Sequence, residues 1–431
     1  MANSPSDLSD LADALLITII SFLPICIAAR TSVLCRHFRH LWEASPSLAL
    51  ISYDLPSPRW AQSKNFIAMA ERAVLHRNPF LPLQSLCLEL SRCGVQDAMA
   101  IVSSLLAKAH SLDLRHLTIQ HLWLSDFLPI LSIVFTINSL RCLSLHHLSL
   151  SGRSQELNFP AGNNLTNLRS LSLELIYIDL ANLNKCLFEL CSLEDLYLRT
   201  CWTPRVSLSS QTIRKLKLII NRDIMGSLSL LESLHLEIKY SLGKLSHIHA
   251  NVPSLKKIVI KLCAISVVVG LLNCISHVEE LSLHLESEDE KNLITILLES
   301  IKDVPEFPKL EHMDLTLNFQ EHNLEAVSTM LHNCPALKSL KLVHEVPNFT
   351  GSSRGGRKRI DRKTRPPRNA DDNCHYAYFK NLHLEENRKE VIKFVTRTLH
   401  DPEIGSVYLS PSFGFCLISV LKSDIFCGNE Q

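Results

Sequence analysis

The side chains here that could do chemistry are twenty histidines and fourteen cysteines. Histidines suggest metal ligation or proton transfer, and cysteines suggest a thiolate nucleophile or a metal cage. Their spacing supports neither. No Cys-x-x-Cys occurs, nor any His-Glu-x-x-His, Gly-x-Gly-x-x-Gly or Walker loop. The cysteines are scattered, mostly inside apolar runs such as Leu86-Cys87-Leu88 and Leu140-Arg141-Cys142-Leu143. That is the pattern of reduced, packed thiols. The expectation is no catalytic residue, no metal and no cofactor. His116, His146, His235, His284, His312 and His383 share a different regularity, and so do Lys215, Lys217, Lys257, Lys261 and Lys341. Each falls at an alternating position inside a recurring Leu-x-x-Leu-x-Leu segment or, for His146, Lys261 and His284, directly after it. The elements that carry that motif therefore decide what these side chains can do.

The motif runs through most of the chain. It reads LQSLCL at Leu83, LRHLTI at Leu114, LRCLSL at Leu140, LRSLSL at Leu168, LEDLYL at Leu193 and IRKLKL at Ile213. It continues as LESLHL at Leu231, LKKIVI at Leu255, VEELSL at Val278, LEHMDL at Leu310, LKSLKL at Leu337 and FKNLHL at Phe379. Such a series is the signature of a leucine-rich repeat, in which each unit is a short strand with a helical or irregular return. One unit cannot bury its apolar face. Stacked units build a curved parallel sheet with the leucines in the core and the alternating residues on the concave face. That face would display Asp195, Tyr197, Arg199, Lys215, Lys217, His235, Lys257, Lys261 and His284, the candidate substrate-binding residues. Pro253, Pro308 and Pro335 each precede a repeat leucine by two residues and fix the turn into the strand.

The first forty residues differ. From Ala14 to Ala29 there is no charge, and basic residues begin only at Arg30. A secretion signal carries its positive charge ahead of the apolar run. Here Asp7, Asp10 and Asp13 precede it, and Pro24 interrupts a run too short to span a bilayer. Leu15, Leu16, Ile19, Ile20 and Leu23 fall at helical spacing, followed by Val33, Leu34, Phe38, Leu41 and Trp42. Short helices this apolar need either the rest of the chain or a partner to cover them.

DLADALLITIISFLPICIAARTSVLCRHFRHLW resembles the plant F-box, and its order before a Phe-x-x-x-Ala-x-x-Ala-Val-Leu helix and the repeats resembles plant F-box/leucine-rich-repeat proteins. It departs from the usual F-box at Ala12, where proline is usual, at Phe38, where tryptophan is usual, and at Ile25-Cys26. The C-terminal segment YFKNLHLEENRKEVIKFVTRTLHDPEIGSVYLS is loosely similar to the FBD region that closes many relatives. The resemblance implies an α/β chain, a small all-helical F-box followed by a repeat solenoid. Its expected parts are an F-box at 6–46, a linker and capping helix at 47–80, and repeats at 81–345. A basic insert at 346–378 and a last repeat with an FBD-like cap at 379–431 follow.

It also implies a non-catalytic subunit of an SCF-type ubiquitin ligase, with the F-box on a Skp-type adaptor, and through it cullin, and the arc on a protein substrate. Leu11, Leu15, Ile19, Leu23, Pro24, Val33, Leu34 and Trp42 are the expected adaptor-binding residues. The alternative is a repeat scaffold whose degenerate F-box recruits no ligase. With a net charge of +1, neither nucleic acid nor membrane is expected as a partner. The expected compartment is cytoplasmic, nuclear or both, and the eight basic residues of SSRGGRKRIDRKTRPPR (Ser352–Arg368) suggest a nuclear import signal in an extruded loop.

Overall fold

The computed structural model describes residues 11–52, 59–78, 80–91, 102–107, 113–120, 123–124, 132–146, 149–150, 165–174, 180–199, 205–220, 223–238, 248–262, 272, 274–285, 305–317, 330–331, 333–345, 404–412 and 415–422. The basic insert and the motif at Phe379 lie outside these residues.

Four helices are used below: α1 (Asp13–Ile20), α2 (Ile25–Arg30), α3 (Arg59–His76) and α4 (Leu180–Glu189). Two 3₁₀ segments, Thr31–Val33 and His37–Ala44, follow α2. The strands in chain order are β1 (Ser47–Ile51), β2 (Ser85–Glu89), β3 (His116–Gln120), β4 (Trp123–Leu124), β5 (Cys142–His146), β6 (Ser149–Leu150) and β7 (Ser170–Glu174). Then come β8 (Asp195–Arg199), β9 (Arg205–Ser210), β10 (Lys215–Ile220), β11 (Asp223–Leu228), β12 (Ser233–Ile238) and β13 (Ile248–Asn251). The last are β14 (Lys257–Leu262), β15 (Glu280–Leu285), β16 (His312–Leu317), β17 (Ser339–Glu345), β18 (Ile404–Ser412) and β19 (Phe415–Lys422).

The chain forms two compact units, one of residues 1–236 with 247–254 and one of 237–246 with 255–431. In the first, neighbouring strands follow the order β1-β2-β3-β5-β7-β8-β10-β12, with parallel register throughout from β1 to β10. In the second, β14, β15, β16 and β17 pair in parallel, and the antiparallel pair β19-β18 joins at β17.

Every described repeat motif becomes a strand that begins two residues after its first apolar residue. That first residue turns inward: Leu114, Leu140, Leu168, Leu193, Ile213, Leu231, Val278 and Leu310 are all wholly buried. A tight turn precedes it. The N–H of Leu140, Leu168, Leu193, Val278, Leu310 and Leu337 each donates to the carbonyl three residues back. The next two motif leucines, for example Leu171 and Leu173, are buried, while the residues between them face away from the core. Successive turns are tied as well. One carbonyl at most strand entries accepts two N–H groups of the next repeat, as Arg169 does from Glu194 and Asp195. This satisfies backbone groups at the sheet end.

Two details differ from the expectation. The segment 47–80 is more than a linker and cap. It holds β1, whose Leu48 and Leu50 are buried and whose register with β2 is parallel. Helix α3 is therefore the return between two adjacent strands, as parallel pairing requires, with Phe66, Ala70 and Ala73 buried. The returns are also not all helical or irregular. β9, β11 and β13 pair in parallel as a second small sheet, and β4 pairs with β6.

The N-terminal helices are joined firmly to the array. Helix α2 packs on β1. The buried Arg77 guanidinium donates to the carbonyls of Ser45 (2.9 Å), Leu81 (2.9 Å) and Pro82 (2.7 Å). Burial pushes its proton affinity down, and the carbonyl ring offsets that cost. Asn78 N–H donates to the Glu43 carbonyl at 3.2 Å.

Candidate partner-binding surfaces

Helix α1 starts at Asp13, whose charge suits the helix N-terminus. It sits 3.1 Å from His37 of the second 3₁₀ segment. The five apolar residues expected as one stripe divide between two faces. Leu16 and Ile20 are buried, while Leu15 and Ile19 are about half exposed at 55% and 48%. Pro24 does not end α1. The helix closes at Ile20, and Pro24 stands at the start of α2, where its fixed φ suits a helix entrance.

Leu11, Val33 and Leu34 are exposed like Leu15 and Ile19, Val33 by 85%. Leu23, Pro24 and Trp42 are half-buried. Reading the sequence missed Phe22, which is 82% exposed in the turn after α1, and Ile27, exposed on α2. The signal for Phe22 was its place three residues after Ile19 and seven after Leu15, the spacing of one helical face. Seven large apolar side chains thus lie open within residues 11–34. An aqueous surface does not normally leave such a patch uncovered. Phe38, one of the departures from the usual F-box, is buried against this layer, so it acts through packing.

The second surface is the sheet face opposite the leucine core. The candidate residues divide between the two units. In the second unit, Lys257 pairs with Glu280 at 2.6 Å, and Ser282 bonds His284 at 3.0 Å. Lys261 stands in register with His284. The Lys257–Glu280 pair is half exposed and worth little.

In the first unit the side chains are organised further. Glu174 on β7, only 8% exposed at its side chain, accepts from His146 Nδ1 of β5 at 2.7 Å and from the Arg199 guanidinium of β8. The His146 ring lies 6.5 Å from Tyr197, and Lys217 Nζ of β10 stands 5.0 Å above the Tyr197 ring. Lys215 is 3.9 Å from Asp195. Asp195, Tyr197, Arg199, Lys215 and Lys217 therefore form one cluster, and His235 lies half-buried on β12.

Among the described residues, no group of three or more His, Cys, Asp and Glu side chains converges as a metal cage. Burial pushes the Cys186 and Cys334 thiols up to about 12 and raises those of Cys87 and Cys142. Such thiols stay protonated and unreactive near neutrality. Among the described residues, no helix is long and apolar enough to cross a membrane.

The F-box domain family matches residues 8–49. Three Arabidopsis thaliana proteins are similar to the chain. An F-box/FBD/LRR-repeat protein is 29% identical over 37% of this chain and 41% of its own length. An F-box/LRR-repeat protein is 25% identical over 78% of this chain and 71% of its own. An FBD-associated F-box protein is 31% identical over 31% of this chain and 34% of its own. The chain thus spans less than half the length of two of these relatives. The open apolar layer of α1 and α2 falls inside the matched segment. Residues 8–49 are an F-box domain, and the chain is similar over most of its length to an F-box/LRR-repeat protein of Arabidopsis thaliana.

Proposed function

We propose that the protein is a substrate-recognition subunit of an SCF-type ubiquitin ligase. Its F-box docks on a Skp-type adaptor, and through it cullin, while the open sheet face holds a protein substrate. The protein itself performs no catalysis and acts in the cytoplasm, the nucleus or both. One observation carries this reading: the F-box domain leaves Leu11, Leu15, Ile19, Phe22, Val33 and Leu34 open to solvent. A few residues supply most of an interface's affinity, and covering this much apolar surface removes it from water. Half-buried Leu23, Pro24 and Trp42 would sit at the rim of the contact or support it.

The test is co-purification with a plant Skp-type adaptor. The wild-type chain recovers the adaptor, and Leu15→Ala with Val33→Ala recovers little. A wild-type chain that recovers none favours the alternative, a repeat scaffold with a degenerate F-box. Equal recovery by wild type and the double variant refutes this docking face.

A further inference from the structure

We infer that the cluster around Tyr197 in the first unit is a binding site for an acidic peptide segment, the part of a substrate that the open sheet face grips. This rests on the substrate-holding role just proposed and gives it a chemistry.

Glu174 is nearly buried and already engaged by both His146 and Arg199. Its charge is spent inside the cluster. What it achieves is to hold the Arg199 fork in place, with the Arg199 side chain 32% exposed. A guanidinium keeps several N–H donors when one edge is taken, and these suit a second carboxylate. Lys217 is exposed and propped over the Tyr197 ring. Lys215 is 70% exposed, and its 3.9 Å approach to Asp195 is too long for a hydrogen bond. Three cations, Arg199, Lys215 and Lys217, thus stand against two carboxylates, Glu174 and Asp195, and the balance left at the surface is positive.

The floor leading to the cluster is low. Thr118, Ser144, Ser172, Tyr197 and Lys217 stand in one register row across β3, β5, β7, β8 and β10. Small side chains occupy the row until Tyr197, where the height rises. An extended chain can lie close to the sheet along that row and meet Tyr197 and the cations at its end. Tyrosine and arginine are the side chains that most often anchor such contacts.

The probe is a fluorescein-labelled hexaglutamate peptide, read by fluorescence anisotropy with the full chain. The expected result is saturable binding that weakens as salt rises, with no binding of a matched hexaglutamine peptide. Lys217→Glu and Lys215→Glu are surface changes that leave folding intact, and each lowers affinity about tenfold or more. Arg199→Gln does the same if circular dichroism shows it folded. Lys185→Glu, at an exposed position of α4, binds like wild type. Loss of binding to Lys185→Glu, wild-type binding by Lys217→Glu, or no binding to the wild type overturns the site. So does a single-stranded oligonucleotide that displaces the peptide at equal charge concentration, which would make the face a nucleic-acid surface. Adaptor co-purification is run on the same samples. Lys217→Glu retains the adaptor, so failure of the peptide site and failure of F-box docking are read separately.

Discussion

Two adjacent leucines on α1 make a direct contrast. Leu16 is 1% exposed and Leu15 is 55% exposed. Truncating Leu16 to Ala removes a buried side chain and leaves a cavity, which costs about 2–5 kcal/mol. Truncating Leu15 gives up less than half of the burial of a leucine, which amounts to under about 1 kcal/mol. Alanine's better helix propensity offsets part of that. The order reverses for association. Leu15 still has about half its surface to bury, so its truncation should weaken adaptor binding by about 1 kcal/mol or more, roughly fivefold or greater. Leu16→Ala should weaken binding only as far as it unfolds the helices. Urea denaturation followed by circular dichroism reads the first effect, and isothermal titration with purified adaptor reads the second. If Leu15→Ala destabilises the chain as much as Leu16→Ala, the face assigned to the partner lies inside the protein. If Leu15→Ala binds as tightly as wild type while Leu16→Ala stays folded and does not bind, the two faces have been assigned the wrong way round.

Replacing Arg77 by Met removes the donors to Ser45, Leu81 and Pro82 and should cost about 2–4 kcal/mol; faster hydrogen exchange at residues 81–86 should accompany the lower urea midpoint, and unchanged exchange would count against the staple. Ala12 has φ −61°, the value proline is locked to, so Ala12→Pro should raise the urea midpoint by the equivalent of about 0.4–1 kcal/mol, and a fall would show that the ring clashes there. Iodoacetamide at about pH 8 should label exposed Cys35 and Cys191 and spare Cys186 and Cys334 until denaturant is added, as peptide mapping will show.

The repeat was legible because a strand that buries one face must alternate, and a leucine ahead of it must turn inward to close each coil. Those two demands write Leu-x-x-Leu-x-Leu into the chain, and each described motif gave a strand in the expected register. β1 escaped because it carries only the second half of the pattern: Leu48 and Leu50 are present, but Ser45 stands where the first leucine would be. The paired returns β9, β11 and β13 escaped because RVSLSS, DIMGSL and IHAN share too short a pattern: one β-branched residue of each, Val206, Ile224 and Ile248, stands in register, and Leu208, Gly226 and Ala250 two places on differ in size. On α1, helical spacing revealed the apolar residues but not their allegiance. Leu15 and Leu16 look alike in a sequence, and only packing shows which meets the chain's own core. The Tyr197 cluster was legible as a row of outward positions. That Glu174 organises it was not, because contacts between repeats join residues about 25 to 28 apart.

β1 ends the first sheet, and helix α2 packs on it. An end strand offers a row of backbone donors and acceptors to any other strand that comes near, and a solenoid needs a stopper at each end to remain soluble. In this chain the F-box is that stopper. A gene product that lost the F-box would lose more than the adaptor docking proposed above. It would present an open template, and the copies would seed one another into aggregates. Deletion of residues 1–46 would therefore be a poor way to make a stable decoy that binds substrate without recruiting a ligase. Point changes on the outer face of α1, which leave the stopper in place, would make the better decoy.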